Sequence, residues 1–215
     1  MASVLLDDDL GRVPQQSRSR ETHARIVRAG ETLFAERGYD GTTVQDITSR
    51  ARCSVGSFYA RFKDKESLFL HIHDLHCAEL TQRIAFLCDL FEAERSPLEI
   101  VIHQTVRALF GFSGRRRAMT RVFIQRSGSD AAFHHRYALI WKEISDHLRP
   151  AILKHRNAID HPDPERATGF ALQTLHALWA NDVLHHRIRD VTGHETGDAL
   201  VEDATAACLA WLNVS

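Results

Sequence analysis

The stretch TVQDITSRARCSVGSFYARFKDKESL, residues 43–68, contains three candidate helix starts in close succession. Thr43, Ser54 and Asp64 each have a short side chain whose oxygen can accept hydrogen bonds from the free N–H groups of a helix's first turn. The spacing predicts two short helices and the start of a long one, over 44–51, 54–62 and 64–91. Two short helices joined by a tight turn, with a long helix on each side, are typical of a helix-turn-helix unit.

Apolar residues recur at helical spacing before this stretch. Ile26 and Leu33 lie on one face of a predicted helix over 21–37. Gly38 follows at the position where a left-handed residue often ends a helix. Gly30, inside this helix, costs about 1 kcal/mol relative to alanine, so the sequence indicates close packing of the backbone there.

Further helices are predicted beyond the first four. They cover 97–110, 115–126, 129–148, 163–188 and 198–212. Ser96 is expected to form a capping box with Pro97 in the first helical position, and Gly111–Gly114 to interrupt the helical pattern. Ser129 is expected to open a long helix that Pro150 ends or kinks. The whole chain is therefore predicted to be all-α, with about nine helices.

Composition limits the class of protein. The 215 residues are 44% apolar and 26% charged, which is an ordinary globular balance. No run approaches the roughly 20 apolar residues that a bilayer crossing requires, so no membrane association is predicted. The four cysteines form no C-x-x-C pair, and the first residues do not resemble a secretory signal, which indicates a cytoplasmic protein.

The distribution of charge and small residues favours nucleic acid as a partner. The net charge is −1, but residues 17–70 contain ten Lys or Arg against seven Asp or Glu, a weak signal that many solvated surfaces share. A helix that enters the major groove needs a slim first turn, and residues 54–57, Ser-Val-Gly-Ser, supply one. Phe58 and Phe62 are expected to pack inward, and Tyr59 to point outward towards a phosphate.

Residues 26–69 resemble the N-terminal DNA-binding domain of TetR/AcrR-type transcriptional regulators. The matching landmarks are Phe34, Gly38-Tyr39, Thr42-Thr43-Val44, Asp46-Ile47, Ala51, Ser54-Val55-Gly56, Phe58-Tyr59, Phe62, Lys65-Glu66 and Leu68. The resemblance covers about a fifth of the chain, and the rest is similar only in helix number and size. It implies a tail over 1–17, a three-helix helix-turn-helix domain over 18–65, and a larger helical ligand-binding and dimerisation domain over 66–215.

The resemblance also implies which residues contact DNA. The groove-facing set, with the polar tip included, is Ser54, Val55, Gly56, Ser57, Tyr59, Ala60 and Arg61. Thr43 and Lys65 are expected to clamp the DNA backbone, and Arg61 to read a guanine edge with its guanidinium. The family usually has Gly-Val in the turn where this chain has Arg52-Cys53. If the turn needs a positive φ, Arg52 costs about 1 kcal/mol there, and a phosphate contact would offset that cost.

The function that the resemblance implies is a repressor that a small apolar or aromatic effector releases from a pseudo-palindromic operator. The side chains expected nearest the effector pocket are Phe123, Tyr137, Trp141, His176, Trp179 and Asn181. The last two helices carry stripes of small and large residues that predict a homodimer through a four-helix bundle. These stripes consist of Phe170, Thr174, Ala177, Leu178 and Trp179 on one helix, and Leu200, Ala204, Ala207, Cys208 and Trp211 on the other.

Two other classes of protein remain open: a metal- or pH-responsive regulator, and a helical small-molecule binder that never touches DNA. His73 shares a helical face with His76 and Cys77, a spacing that can hold Zn²⁺ or Cu. With fourteen histidines in the chain, a chance cluster is the preferred interpretation, and neither a metal nor another cofactor is predicted. Arg115–Arg117 is interpreted as a solvated helix edge rather than an anion site. No catalytic motif is recognisable, so the chain is not predicted to be an enzyme.

Overall fold

The computed structural model describes residues 15–185 and 197–214, and these ranges contain helices but no β-strand. The α-helices are α1 (Gln15–Arg37), α2 (Val44–Ala51), α3 (Val55–Tyr59), α4 (Lys65–Glu94), α5 (Leu98–Ser129), α6 (Ala131–Leu153), α7 (Pro164–His185) and α8 (Asp198–Leu212), with a 3₁₀-helix at Arg156–Ala158. The all-α prediction is confirmed. Within the described ranges, no helix is both long and apolar enough to cross a bilayer.

The long helix α5 replaces two predicted helices. The sequence predicts an interruption at 111–114, whereas α5 continues across it and is kinked at Arg116, with φ −122° and ψ 27°. A glycine in a helix costs only about 1 kcal/mol relative to alanine. The buried side chains of Phe110 and Met119 lie on either side of the glycines, and burial of each contributes more than that. The predicted interruption is therefore wrong.

Two helices begin at other residues than predicted. α1 starts at Gln15, six residues before the expected position, and Arg61 donates a hydrogen bond of 3.1 Å to the Ser19 hydroxyl in its second turn. Pro97 is the N-cap of α5, with ψ 160° and no side-chain cap. The predicted capping box at Ser96 is wrong because a residue with this ψ stands outside the helix.

The ends of α6 also differ from the prediction. Asp130, not Ser129, caps α6, because its carboxylate accepts from the N–H of Phe133 at 3.0 Å. The helix continues through Pro150 to Leu153, since a proline near the end of a helix removes a single intrahelical hydrogen bond. The predicted start of α7 is confirmed, and the Asp163 carboxylate accepts there from the N–H of Arg166 at 3.0 Å. The predicted continuation to residue 188 lies outside the described residues.

The chain divides after Ile72 into two compact units. In the first unit, α1 packs against α2, and its residues Ile26 and Phe34 are fully buried. Gly30 permits a close approach to α4: a Cβ built on Gly30 would stand 2.7 Å from Cδ2 of Leu68 and 3.3 Å from Cδ1 of Ile72. No side chain fits there without moving Leu68, which accounts for the glycine inside α1.

The second unit has one continuous hydrophobic core contributed by α4 to α8. α7 and α8 pack against each other and against α5. Trp179, Ala204 and Cys208 are buried in this core, so these three members of the predicted dimer stripes are not surface positions. The exposed members are Phe170, Ala177, Ala207 and Trp211.

Candidate nucleic-acid interface and cavities

The start of α2 is fixed by the predicted cap. Thr43 accepts from the N–H of Asp46 at 3.1 Å through its hydroxyl, and its own N–H donates to the Asp46 carboxylate at 3.0 Å. The Thr43 hydroxyl also donates to this carboxylate at 2.6 Å. These hydrogen bonds lower the pKa of Asp46 because they stabilise its charged form. Thr43 is exposed, and its hydroxyl proton is already used in the cap.

The turn between α2 and α3 places an arginine in the left-handed region. Arg52 has φ 51° and ψ 52°, and its N–H donates to the carbonyl of Ser49 at 3.2 Å. The positive φ that the sequence suggested is confirmed, and it costs about 1 kcal/mol for a residue with a Cβ. The Arg52 side chain is exposed, so the turn presents a cation immediately before α3.

The first turn of α3 is slim and open to solvent. The Ser54 hydroxyl caps it by accepting from the N–H of Ser57 at 3.1 Å. Gly56 is exposed, and a Cβ built on it would meet only the Ser54 hydroxyl, 3.9 Å away. Val55 is 47% exposed, Ser57 is half-buried and Ala60, at the other end of the helix, is exposed. This tip has the shape that entry into a major groove requires.

The aromatic residues around α3 divide as the sequence predicts. Phe58 is fully buried and Phe62 nearly so, with their ring centroids 5.8 Å apart. Tyr59 is 55% exposed. Two rings therefore hold α3 in the first unit, and the third ring stands at the surface.

Arg61 has a structural role that the sequence did not reveal. Its guanidinium donates to the Ser57 carbonyl at 2.7 Å and to the Ser19 hydroxyl at 3.1 Å. The side chain is half-buried and ties the end of α3 to the start of α1. These contacts hold the guanidinium against the protein, and the guanine-reading role of Arg61 stays a prediction.

Lys65 likewise contacts the protein. Its ammonium donates to the carbonyls of Tyr39 and Thr42 at 2.8 and 2.9 Å and lies 4.1 Å from the centre of the Tyr39 ring. Two of its three N–H groups are thus used to hold the α1–α2 connection. The neighbouring Lys63 is exposed. Lys63 lies between Phe62, which was expected to pack inward, and Asp64, which caps the next helix. This position could have identified Lys63 from the sequence as a cation at the surface.

Four of the predicted ligand residues surround one small cavity in the second unit. Phe123, Tyr137, Trp141 and Trp179 line a space of about 40 Å³ together with residues of α4. His176 joins this group at its edge: its Nε2 lies 3.3 Å from the Tyr137 hydroxyl, and its ring centroid lies 4.0 Å from that of Trp141. Burial lowers the pKa of His176 to about 4, so the imidazole is neutral at pH 7 and can accept the tyrosine proton.

Two polar features of this region bear on ligand binding. The indole N–H of Trp179 is buried and has no acceptor among the described residues, although buried N–H groups are nearly always bonded. Asn181, by contrast, is exposed and does not line the cavity. Residue 181 lies on the solvent side of α7 while residue 179 lies on the core side, so the predicted ligand contact of Asn181 finds no support in this cavity.

The histidine cluster of α4 is packed as core. His73 and His76 are 1% and 4% exposed, and the Cys77 sulfur lies 3.4 Å from Nε2 of His73. Burial lowers the pKa of His73 to about 4 and raises the pKa of Cys77 to about 12, which leaves both groups neutral at pH 7. Across the described ranges, no three His, Cys, Asp or Glu side chains converge as metal ligands would.

A larger cleft of about 850 Å³ also lies in the second unit. Its wall includes the charged residues Glu79, Arg83, Arg107, Arg117 and Asp182 together with apolar side chains. Arg117, which the sequence placed on a solvated edge, forms an ion pair with the buried Asp182. Arg115, from the same run, has a side chain outside the described set.

Comparisons with known proteins agree with this geometry. The sequence model of bacterial regulatory proteins of the tetR family matches residues 26–72. The chain is 50% identical over 42 residues to the transcriptional repressor DhaR of Mycobacterium sp. (strain GP1), which covers 20% of this chain and 21% of DhaR. It is 30% identical over 107 residues to the A-factor receptor protein of Streptomyces griseus, which covers 50% of this chain and 35% of that receptor.

The similarity of fold extends over nearly the whole chain. A protein of Mesorhizobium loti, described as a TetR-family transcriptional regulator, superimposes with a TM-score of 0.71 over 91% of this chain and 97% of its own, at 21% identity. At this identity the likeness concerns the fold alone. The chain spans about a third or less of the length of the curated relatives it matches in sequence.

The contacts of Lys65 predict a structural effect that the neighbouring lysine does not share. Replacing Lys65 by Met keeps most of the apolar stem but removes the ammonium donor from the carbonyls of Tyr39 and Thr42. Hydrogen bonds from charged groups contribute about 1.5–3 kcal/mol, so Lys65→Met should lower the free energy of unfolding by about 2 kcal/mol in urea denaturation followed by circular dichroism. Lys63→Met, at an exposed position, should change it by less than about 0.5 kcal/mol. Equal effects of the two substitutions would contradict the assigned role.

Proposed function

We propose that this chain, which belongs to the TetR family through its residues 26–72, is a DNA-binding transcriptional regulator that acts as a ligand-responsive repressor. The observation that carries the proposal is the exposed, slim first turn of α3. Ser54 caps it, Gly56 adds no side chain, and Phe58 anchors it from below. A backbone presented in this way can approach base edges in a major groove.

In the proposed complex, the surface groups of α3 contact DNA and the half-buried cations position them. Val55 offers a methyl surface suited to the C5-methyl group of thymine. Tyr59 is 55% exposed, and its hydroxyl is the group that would donate to a phosphate oxygen. Arg61 and Lys65 keep α3 and the α1–α2 connection in place, so their contribution to DNA binding is indirect.

We infer that two copies of the chain associate through the exposed parts of α7 and α8. Phe170 and Trp211 are 49% and 39% exposed, and their rings lie 4.5 Å apart. The Trp211 indole N–H donates to the Ala167 carbonyl at 3.1 Å, which fixes the ring at the surface. Exposed aromatic pairs of this kind are suited to the centre of a protein–protein interface. A two-fold dimer would present two α3 helices to the half-sites of a pseudo-palindromic operator.

We also infer that the aromatic cavity binds the effector. Its volume of about 40 Å³ is far below the roughly 150 Å³ that accommodates benzene, so a ligand can enter only if the lining moves. α4 contributes side chains to the lining of this cavity. The beginning of the same helix packs against Gly30 in the first unit through Leu68 and Ile72. A ligand that binds only the expanded cavity therefore shifts the population towards a different position of α4. The unsatisfied N–H of Trp179 favours an aromatic ligand with a hydrogen-bond acceptor.

The DNA-binding proposal is tested by placing a negative charge on the tip of α3. Val55→Glu introduces a carboxylate that phosphates repel, while an acidic residue in the first turn of a helix is compatible with folding. DNA segments selected by the wild-type protein from a random pool should bind the variant at least about 100-fold more weakly, an effect of roughly 3 kcal/mol, in fluorescence anisotropy.

The matched control is Ile100→Glu, which changes a first-turn residue of α5 that is 44% exposed. This control should bind DNA as the wild type does. If the wild-type protein shows no salt-sensitive affinity for DNA, the regulator proposal is wrong and the chain is a small-molecule binder of another kind.

The dimer proposal predicts different effects of two equally exposed apolar residues. Phe170→Asp buries a charge in the proposed interface and should yield monomers in analytical ultracentrifugation at micromolar concentration. Leu139, on α6, is 50% exposed, and Leu139→Asp should remain dimeric. A monomeric wild type, or a dimer that only Leu139→Asp disrupts, would exclude this interface.

The ligand proposal predicts that phenol and benzene bind unequally. Both should raise the melting temperature at millimolar concentration, phenol by more because its oxygen accepts from Trp179. Trp179→Phe should remove the difference, and Trp211→Phe, which changes a ring outside the cavity, should preserve it. Melting temperatures that neither compound changes would refute binding of small aromatic molecules in this cavity.

A further inference from the structure

A groove lined by arginines lies between α1 and the end of α2, within the first unit. Its volume is about 240 Å³, and its lining consists of Arg25, Arg28, Ala29, Thr32, Arg50, Ala51 and Arg52. The four cations come from α1, from the end of α2 and from the turn that follows α2. No carboxylate is among the lining residues. This density of positive charge contrasts with the chain as a whole, whose net charge is −1.

The four arginines differ in how far the protein already uses them. Arg50 forms a two-pronged pair with the Glu36 carboxylate, with N–O distances of 2.9 and 3.1 Å. Arg25 donates to the Thr22 hydroxyl at 3.3 Å. Arg28 and Arg52 are exposed, and neither has an ion-pair partner among the residues that the structure describes. Two guanidinium groups are therefore available to an anion in the same groove.

Arg52 ends α2 in a conformation that is costly for a residue with a side chain. It occupies the left-handed region, where glycine would avoid a cost of about 1 kcal/mol. No ion pair between Arg52 and another described residue offsets this cost. A left-handed residue commonly ends a helix, and here that residue places a cation two positions before the cap of α3.

We propose that this groove binds a backbone phosphate of the DNA duplex beside the segment that α3 enters. The inference rests on the proposed function. Guanidinium groups match phosphate oxygens in two-pronged geometry, and Arg28 and Arg52 supply two such groups. The duplex is the expected source of the phosphate because Arg52, which lines the groove, stands only two residues before the exposed tip that begins at Ser54.

The expected consequence is affinity without sequence discrimination. Phosphate contacts fix the register of a protein on DNA but do not distinguish base pairs. Each contact releases condensed counterions and adds about 0.9 to the slope of log K against log salt concentration. The groove should therefore contribute equally to binding of operator and of unrelated DNA.

The test compares the salt dependence of DNA binding in charge-matched variants. Arg28→Gln/Arg52→Gln should reduce the slope measured on a mixed-sequence duplex by about 2 between about 50 and 200 mM salt, and leave the ratio of operator to mixed-sequence affinity unchanged. Arg95→Gln/Arg156→Gln removes two exposed cations from the second unit and should leave the slope at its wild-type value.

A second variant separates loss of the contact from loss of folding. Arg52→Gly relieves the backbone strain, so it should raise the melting temperature while it reduces the slope by about 1. Arg95 has a similar φ of 50°, and Arg95→Gly should stabilise the protein without changing the slope. A wild-type slope in the Arg28→Gln/Arg52→Gln variant would overturn the groove assignment while the regulator proposal stands. Absence of DNA binding by the wild type would overturn both.

Discussion

The arrangement of the first unit depends on the ammonium group of Lys65. It bonds two carbonyls of the connection between α1 and α2 and lies over the Tyr39 ring, so one side chain from the start of α4 fixes the loop that precedes α2. The position of α2 determines where its end turns through Arg52, and that turn determines the direction of α3. Arg61 completes the arrangement by tying the end of α3 to Ser19. The exposed tip is therefore supported by half-buried cations.

The sequence predicts this unit well where its chemistry is local. Thr43, Ser54 and Asp64 act as caps because a short oxygen-bearing side chain meets N–H groups only three residues away. The contacts of Arg61 with Ser19 and of Lys65 with the Tyr39 carbonyl were not predicted, because these partners are more than twenty residues distant. No periodic pattern in the sequence records such contacts, and a basic residue near a recognition helix suits a DNA contact equally well.

In the second unit too, the sequence does not predict the features that depend on contacts between distant residues. The sequence predicted a cavity with aromatic walls, and four of the residues named for it lie together around one cavity. Buried aromatic residues on neighbouring helices tend to meet in this way. It did not predict how small that cavity is, because volume depends on packing at the scale of one methyl group. Nor did it predict the charged cleft, where Arg117 pairs with Asp182 from another helix. The glycines of α5 misled the helix prediction because burial on both sides outweighs their weak helical preference.

The close packing at Gly30 has a mechanical consequence for these two helices. At Gly30, the backbone of α1 packs against the side chains of Leu68 and Ile72 with no room for a Cβ. The two helices are therefore in direct van der Waals contact at this point. A displacement of the beginning of α4 towards α1 must therefore move α1 or the side chains of Leu68 and Ile72. Since Arg25 and Arg28 belong to α1 and line the groove, a displacement of α4 that moves α1 would change the arginine-lined groove as well.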